Sequence, residues 1–331
     1  MHDVRAHVLG PLPVQVRSLL HGCALSCVLL QAAAFSLAQT PAASATQLAD
    51  LDRAAALSQN GAQAQAERIV IDYLVHHPDS ARAHALLGLV KYRQGIPDKS
   101  LDQYSLAAKF ASLKADDLRI VALDYLQLHD LPASEHWLKE SIVRSPNDWR
   151  TWRYLAGVQY SEEHPVDSAR SFEQCLRLDP TNALAEDGLA RSHEALGITQ
   201  NAEQEYRQAV LLNSRAASPS WLPLLHYGSY LRRTSRVSES LPLLNQAAQL
   251  SPDDWEAHAE LAQAYEDQGD LKTAESEYQR AIAQAPDRVR LHIMLARTYQ
   301  RDGQKDKAST EIKLYQSFAA QYSGNRDLLD K

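Results

Sequence analysis

Two groups of apolar residues in the stretch Trp255–Arg288 are spaced three or four residues apart, which places each group on one stripe of a helix. The first group, at positions 7, 8 and 11 counted from Trp255, is Leu261, Ala262 and Tyr265. The second group, at positions 20, 24 and 27, is Ala274, Tyr278 and Ala281. Gly269 separates the groups, and Pro286 follows the second. The pattern predicts two helices joined by a tight turn.

The same phase of 34 residues continues in both directions from this stretch. Most of the resulting frames carry residues no larger than serine or cysteine at positions 8, 20 and 27, where two helix backbones can approach closely. One slip of four residues, Ala217–Ser220, interrupts the phase. The frames are 47–80, 81–114, 115–148, 149–182, 183–216, 221–254, 255–288 and 289–322. A single phase held over this length predicts a repeat array rather than separate domains.

The period and the alternation of small and large residues resemble the tetratricopeptide repeat. This resemblance covers residues 47–322 and implies an all-α fold, a right-handed superhelical solenoid of about eight helix–turn–helix repeats. The end frames depart from the pattern, with Arg53 at position 7 and Tyr315 at position 27. Since the tail 323–331 is too short for a capping helix, we predict a weak homodimer through the exposed side of the last hairpin, near Tyr315 and Phe318.

The N-terminal 38 residues differ in composition from the repeats. Arg5 and Arg17 precede a largely apolar run, Leu19–Ala38, which ends with small residues at the −3 and −1 positions before Gln39. A positive flank, an apolar run and a small-residue exit are typical of a secretory signal peptide. We therefore expect residues 1–38 to be removed after Ala38 and residues 39–46 to form a flexible lead-in. The mature protein would be secreted or periplasmic.

Three alternatives for the leader stay open. The apolar run is just long enough to span a bilayer, so it could remain as a membrane anchor with the array facing outside. The leader could also have no targeting role, or it could carry a lipid at Cys23 or Cys27, since Leu20–Cys23 loosely resembles a lipoprotein box. If it is cleaved, Cys175 remains as the single thiol, which excludes an internal disulfide. Cys175 lies at position 27, so we interpret it as a small packing residue.

The charge and the motifs argue against several classes of function. A net charge of −7 and a pI near 6.0 give no reason to expect a nucleic-acid partner. The sequence contains no Gly-rich phosphate loop, no H-E-x-x-H, no G-x-S-x-G and no Cys pair at metal spacing. His84, His258 and His292 share position 4, so we interpret them as packing residues rather than metal ligands. We expect no catalytic residue, no metal and no cofactor.

The resemblance implies that the first helix of each repeat lines a concave groove through positions 2, 5, 6, 9, 12 and 13. Arginine and tyrosine recur there, a combination that suits a carboxylate-bearing segment of a peptide or protein. The predicted groove residues are Arg82, Tyr92, Arg93, Arg119, Arg150, Arg153, Tyr154, Tyr160, Arg191, Arg232 and Arg233. Acidic residues follow at Glu256, Glu260, Glu266 and Asp267, and then Arg290, Arg297 and Arg301. The alternative is that these are ordinary solvated helix faces.

The hypothesis that follows is a non-enzymatic scaffold that binds a peptide segment or a protein partner in its groove, in cell-envelope assembly or secretion. The rival is an accessory or regulatory subunit of an envelope enzyme such as a glycosyltransferase, although the frames leave no room for a catalytic domain. A third reading, a membrane-anchored adaptor, differs only in whether Leu19–Ala38 stays attached. Contact with a membrane would come only through an uncleaved N-terminus.

Overall fold

A computed structural model of the chain describes residues 45–321, and this part of the chain consists of sixteen α-helices and short turns, without strands. The first eight helices are α1 Ala45–Gln59, α2 Gln63–His76, α3 Ala81–Arg93, α4 Pro97–Phe110, α5 Ala115–Gln127, α6 Leu131–Arg144, α7 Trp149–Ser161 and α8 Pro165–Leu178. The others are α9 Ala183–Ala195, α10 Thr199–Ser214, α11 Leu222–Arg233, α12 Val237–Leu250, α13 Trp255–Gln268, α14 Leu271–Gln284, α15 Val289–Arg301 and α16 Lys305–Gln321. The predicted all-α repeat fold is confirmed. The predicted signal peptide and the tail 323–331 lie outside the described residues.

Polar side chains at the junctions between frames begin the first helices of several hairpins. Ser80 accepts a hydrogen bond from the backbone N–H of Ala83, and Asp254 accepts one from Ala257. Asn182 does the same for the helix that starts at Ala183. These caps satisfy backbone donors that the first turn of a helix leaves without intrahelical partners. In these hairpins the junction motif therefore marks where the first helix starts.

The turn inside each hairpin needs one residue with positive φ, at position 15 of the frame. Five frames place glycine there, for example Gly269 with φ of 94°. The other three place His129, Glu163 and Ser235, with φ of 59°, 60° and 62°. A side chain in this conformation costs roughly 1 kcal/mol. The surrounding helix pairs therefore impose the turn even where the residue does not favour it.

Small residues occupy the closest approaches between helices. Gly228, at position 8, has no room for a Cβ, because such an atom would lie 2.7 Å from the side chain of Leu244. The hydroxyl of Ser240, at position 20, donates to the carbonyl oxygen of Gly228 at 2.8 Å. Ser100 donates in the same way to Gly88 at 2.9 Å. A small residue at position 20 thus serves as a spacer and, when it is serine, also as a hydrogen-bond donor between the two helices.

The chain divides into two compact units at Glu162 and Glu163. The N-terminal unit contains α1–α7, and the C-terminal unit contains α8–α16. Within the N-terminal unit each helix packs on its neighbours in sequence, and first helices also touch one another, α1 with α3 and α3 with α5. The C-terminal unit repeats this arrangement with α9, α11 and α13. Among residues 45–321, no helix combines the length and apolar character that crossing a membrane requires.

Candidate partner-binding site

The first helices of the N-terminal unit carry an apolar strip with tyrosines beside it. We call the residues at positions 2, 5, 6, 9, 12 and 13 of α3, α5 and α7 the N-terminal face. Its half-buried apolar members are Leu86, Leu89, Ile120 and Leu126. Tyr92, Tyr154 and Tyr160 are also half-buried. Burial, together with the nearby Tyr154 and Asp124, raises the pKa of Tyr92, so its hydroxyl stays protonated at physiological pH.

Arg119 belongs to this face but is already held by the protein. Its side chain is only 15% exposed, and its guanidinium pairs with Asp148 and, at 2.8 Å, with Asp116. Burial opposes ionisation of Asp148, but the hydrogen bond from Thr151 and the charge of Arg119 outweigh it and lower the pKa of that carboxyl. Arg119 therefore fastens α5 to the start of α7. Its exposed fraction leaves little of the guanidinium for a partner.

Arg150 and Arg153, on α7, are placed differently. The Arg150 side chain is 58% exposed, its guanidinium lies 4.7 Å from the ring centre of Trp149, and its nearest carboxylate oxygen, on Asp148, is 3.6 Å away. Arg153 lies 4.6 Å from the ring centre of Tyr154 and makes no ion pair within the described part of the chain. Contact with a ring positions a guanidinium without using up its five N–H donors. These two arginines keep donors for a carboxylate from outside.

Two further predicted residues, Arg82 and Arg93, lie at the exposed edge of α3. Arg82 pairs with Asp52 of α1, with both side chains more than half exposed. Arg93 donates to the hydroxyl of Ser58 at 2.8 Å. An exposed ion pair contributes at most about 1 kcal/mol, so a partner could replace Asp52 at low cost.

One buried acid of the N-terminal unit was not anticipated from the sequence. Asp124, at position 10 of its frame, is fully buried, and neither carboxylate oxygen has a hydrogen-bond partner. The neighbouring hydroxyl of Ser100 donates to Gly88 instead. Burial raises the pKa of Asp124 to about 7. Val90 and Val158 occupy position 10 in the adjacent frames, so an acid at an otherwise apolar position was the available signal.

The first helices of the C-terminal unit carry regular ion pairs. We call the same six positions of α9, α11, α13 and α15 the C-terminal face. At every step along these helices the residue at position 12 of one frame pairs with the residue at position 13 of the next. The pairs are Glu194–Arg233 at 2.8 Å, Arg232–Asp267 at 3.3 Å and Glu266–Arg301 at 2.7 Å. We refer to these three pairs as the charge ladder.

Additional contacts tie the C-terminal face together. Arg232, 15% exposed, also pairs with Glu260 at 3.3 Å, and Ser229 donates to the same carboxylate at 2.7 Å. The imidazole of His226 pairs with the buried Asp187 at 2.7 Å. The predicted succession of basic, acidic and basic segments exists in the sequence, but the charge ladder joins the segments to one another. Most of these side chains are therefore already paired with other residues of the protein.

The predicted groove residues thus fall into two groups. The structure brings Tyr92, Arg119 and Tyr154 close enough to influence one another electrostatically, with Arg153 stacked on the last. Arg232 and Arg233 lie in the C-terminal unit inside the charge ladder, and Arg191 is half-buried there. Sequence reasoning missed the partners Asp148 and Trp149 and the pairing of position 12 with position 13. Opposite charges at those two positions in successive frames would have indicated the ladder.

The position-4 histidines lie in contacts within the protein. Among residues 45–321 no group of three or more His, Cys, Asp and Glu side chains is arranged to hold a metal ion. The position-4 histidines His84, His258 and His292 are all buried, as expected for packing residues.

Comparison with known sequences supports the repeat assignment. One sequence profile described as tetratricopeptide repeat matches residues 51–115 and 228–289, and a second profile with the same description matches residues 266–323. The peroxisomal targeting signal receptor of Komagataella phaffii is 34% identical over 121 residues, which is 34% of this chain and 20% of the receptor. The human PEX5-related protein is 28% identical over 105 residues, 29% of this chain and 17% of that protein. The chain thus spans about a fifth of the length of these relatives.

Solved structures share the fold at low sequence identity. A tetratricopeptide repeat protein from Parabacteroides merdae superimposes with a TM-score of 0.63 at 12% identity, over 77% of this chain and 99% of that one. PilF of Pseudomonas aeruginosa gives a TM-score of 0.54 at 20% identity, over 64% of this chain and 94% of that one. The helical hairpins, the frame and the matching profiles agree with one another, and the chain contains tetratricopeptide repeats.

Proposed function

We propose that this protein is a non-enzymatic scaffold whose N-terminal face binds an acidic segment of a peptide or protein partner. The observation that carries the proposal is which arginines are already held in ion pairs within the protein. Arg150 and Arg153 rest on aromatic rings. Arg153 makes no ion pair in the described chain, and Arg150, 58% exposed, makes only a long one with Asp148 at 3.6 Å, whereas Arg232 and Arg233 are paired more closely within the protein. The Arg153 guanidinium therefore gains a charge-assisted hydrogen bond on binding with no internal pair to break, and the long, exposed pair of Arg150 costs little to exchange.

The apolar strip would supply the area that such a segment needs. Leu89 and Leu126 are half-buried, with Tyr92 and Tyr154 beside them, so an extended peptide could cover them while its carboxylates meet α7. Tyrosine and arginine are enriched among the residues that dominate binding energy at protein interfaces. The ligand is therefore a segment with both acidic and apolar side chains, rather than a purely acidic one.

We place this activity outside the cytoplasm, in cell-envelope assembly or secretion, because the composition of residues 1–38 is typical of a secretory signal peptide. The matched relative from Komagataella phaffii is named as a receptor for a targeting signal, which is in keeping with a peptide ligand. N-terminal sequencing of the mature protein tests the leader: a chain that starts at Gln39 supports cleavage, and one that retains Leu19–Ala38 supports the membrane-anchored adaptor.

A charge-reversal experiment tests the binding face. Envelope extract is passed over the immobilised full chain, over Arg150→Glu plus Arg153→Glu, and over a control, Arg290→Glu plus Arg297→Glu. The control makes the same change of charge on exposed arginines of the C-terminal face, which form no ion pair in the described chain. We expect the first variant to lose the partners of the wild type and the control to keep them. Equal recovery by the first variant and the wild type would reject the assignment, provided that circular dichroism shows all three folded.

The predicted weak homodimer rests on the last hairpin. A shallow pocket of about 320 Å³ there is lined by Gln300, Lys305, Ala308, Ser309, Ile312, Lys313 and Gln316. Ile312 is half-buried at position 24, a position that is buried in the other seven frames. Phe318 already stacks on His292 at 5.5 Å, so it contributes less to such a surface than the sequence suggested. Sedimentation equilibrium of wild type and Ile312→Glu tests this dimer, and a monomeric wild type at high concentration excludes it.

A further inference from the structure

Three buried histidines share a position but differ in their hydrogen bonds. His84, His258 and His292 each occupy position 4 and direct Nδ1 toward the side chain at position 23 of the same frame. That side chain is Gln103 for the first histidine, Glu277 for the second and Glu311 for the third. In His84 and His258 the other ring nitrogen, Nε2, contacts a carbonyl oxygen of the loop that precedes the helix. The number of protons with which each ring satisfies its contacts therefore depends on the hydrogen-bond partners of its two nitrogens.

The contacts of His84 are compatible with a neutral ring. Its Nε2 lies 2.9 Å from the carbonyl oxygen of Pro78, and its Nδ1 lies 2.9 Å from the side-chain amide of Gln103. Nε2 can donate its single proton to the carbonyl. The amide can then turn its NH₂ group toward Nδ1, because a glutamine offers both a donor and an acceptor.

The contacts of His258 require a second proton. Its Nδ1 lies 2.6 Å from a carboxylate oxygen of Glu277, and its Nε2 lies 2.9 Å from the carbonyl oxygen of Pro252. A carbonyl oxygen and an ionised carboxylate only accept, so with Glu277 ionised both hydrogen bonds form only when both ring nitrogens carry a proton. The ring is 4% exposed and Glu277 is 7% exposed, so water cannot easily replace a lost partner. A neutral ring must give up one of the two bonds.

The contacts of His292 need only one proton. Its Nδ1 lies 2.7 Å from Glu311, and its buried Nε2 has no hydrogen-bond partner. A neutral ring with the proton on Nδ1 makes the same bond, and a second proton would bring a donor without an acceptor. His292 therefore serves as a natural comparison for His258 within one unit.

We propose that His258 is a proton-dependent clasp, which joins the loop before α13 to α14 through two hydrogen bonds when the ring is charged and through one when it is neutral. The bond to Pro252 ties the ring to the loop that follows α12, and the bond to Glu277 ties it to the partner helix of its own hairpin. Loss of the second proton, as the pH rises, therefore loosens the packing of α13 and α14. At low pH the ring makes both hydrogen bonds, and at high pH it makes only one.

Charged groups from both helices of the hairpin lie near the ring of His258. From α14, Glu277 contacts it directly, and Arg280 pairs with the other oxygen of Glu277 at 3.1 Å. Arg280 is 61% exposed, so solvent screens most of its repulsion of the ring. At the start of α13, Asp254 uses its carboxylate to cap the helix. In the described chain no other charged side chain is in hydrogen-bond contact with the imidazole of His258.

Side-chain ¹⁵N NMR of the full chain tests the protonation directly, with His258→Gln for assignment. At pH 6.5 we expect two protonated nitrogens on His258 and one on His84. Glu277→Gln reproduces the contacts of His84 and Gln103, so His258 should then carry one proton. If His258 carries a single proton in the wild type at that pH, the proposal is wrong. Should His258→Gln fail to fold, Glu277→Gln gives the assignment, because it changes only this ring.

Hydrogen exchange tests the mechanical consequence. Peptides from α13 and α14 are followed at pH 5.5 and pH 8 after correction for the intrinsic exchange rate. Because one buried hydrogen bond is worth about 1 kcal/mol, we expect exchange in these helices to be about five times faster at pH 8. Glu277→Gln should abolish the difference, and the control Glu311→Gln should keep it. A difference that survives Glu277→Gln, or no difference in the wild type, would overturn the proposal.

Discussion

The two units use the same six inner positions in opposite ways. On the N-terminal face, positions 12 and 13 hold mostly neutral residues, and the one contact of this kind that is described joins Arg93 to the hydroxyl of Ser58. On the C-terminal face the same two positions hold the charge ladder. The first arrangement leaves Arg153 without a carboxylate. The second pairs Arg232, Arg233 and Arg301 within the protein, while Arg290 and Arg297 of the same face form no ion pair in the described chain. An inner-face arginine therefore indicates binding only when its neighbours along the array do not neutralise it.

The contrast extends to buried acids. Glu260 of the C-terminal face is paired with Arg232, whereas Asp124 of the N-terminal unit has no partner. Glu260 thus has a cation beside it, whereas burial opposes ionisation of Asp124 and raises its pKa. The three predictions that follow test these differences.

The largest effect is expected at Asp124. Its pKa is about 7 in the folded chain, against 3.8 for an ordinary aspartate, so the folded state holds a proton that the unfolded state loses between these values. Stability therefore falls as the pH rises from 4 to 7 and is level above that. Asp124→Asn stays neutral throughout and should raise the free energy of unfolding by about 2–4 kcal/mol at pH 8, with the gain vanishing near pH 4.

Urea denaturation of the full chain across this pH range measures the effect, and hydrogen exchange in α3–α5 locates it. Glu260→Gln is the control, because removal of a paired carboxylate should lower stability at pH 8 rather than raise it. If Asp124→Asn has the same pH dependence as the wild type, the buried carboxyl is ionised in the folded state and the argument from burial is wrong.

A smaller effect is expected at Arg232. Arg232→Leu leaves Glu260 and Asp267 without their cation, in a site where the arginine is 15% exposed. We expect a loss of about 1–2 kcal/mol in the free energy of unfolding. Arg153→Leu, which breaks no ion pair, should change it by less than about 0.5 kcal/mol. Thermal and urea denaturation of the two variants measure both losses. Equal losses would contradict the claim that Arg232 is held by ion pairs and Arg153 is not.

The smallest effect is expected at the half-exposed pair Glu194 and Arg233. Glu194→Arg places two arginines together, and we expect a loss of about 0.5–1 kcal/mol. Arg233→Glu should cost a similar amount, and the double variant, which restores the pair in reverse, should recover most of the stability. If the loss in the double variant equals the sum of the two single losses, these two side chains do not interact. Both single losses should shrink at 1 M salt.

The backbone could be predicted from the sequence because the frame repeats. A small residue at position 8, such as Gly228, together with Leu244 sixteen residues later, determines how two helices approach, and each frame supplies the same instruction. Glycine at position 15 in five frames indicates the turn, which also forms without glycine at Ser235 and two other sites. Helix packing therefore imposes the turn where the local sequence does not.

The candidate site could be predicted only in part. The frame placed Arg119 and Arg150 on the same face, but it could not show that one is buried against Asp148 while the other rests on Trp149. Long side chains have many rotamers, and their choice depends on neighbours about one frame away. Asp124 was overlooked because it lies at a packing position rather than at an inner-face position.

The charge ladder also has a consequence for the order of the hairpins. Each hairpin of the C-terminal face presents a sign at position 12 that suits the sign at position 13 of its successor, acid to base for Glu194, base to acid for Arg232 and acid to base for Glu266. Exchanging the hairpins that begin with α11 and α13, or deleting one of them, would bring like charges together. The charges at positions 12 and 13 thus distinguish these hairpins from one another. Although their backbones are similar, only the natural order pairs opposite charges at every step.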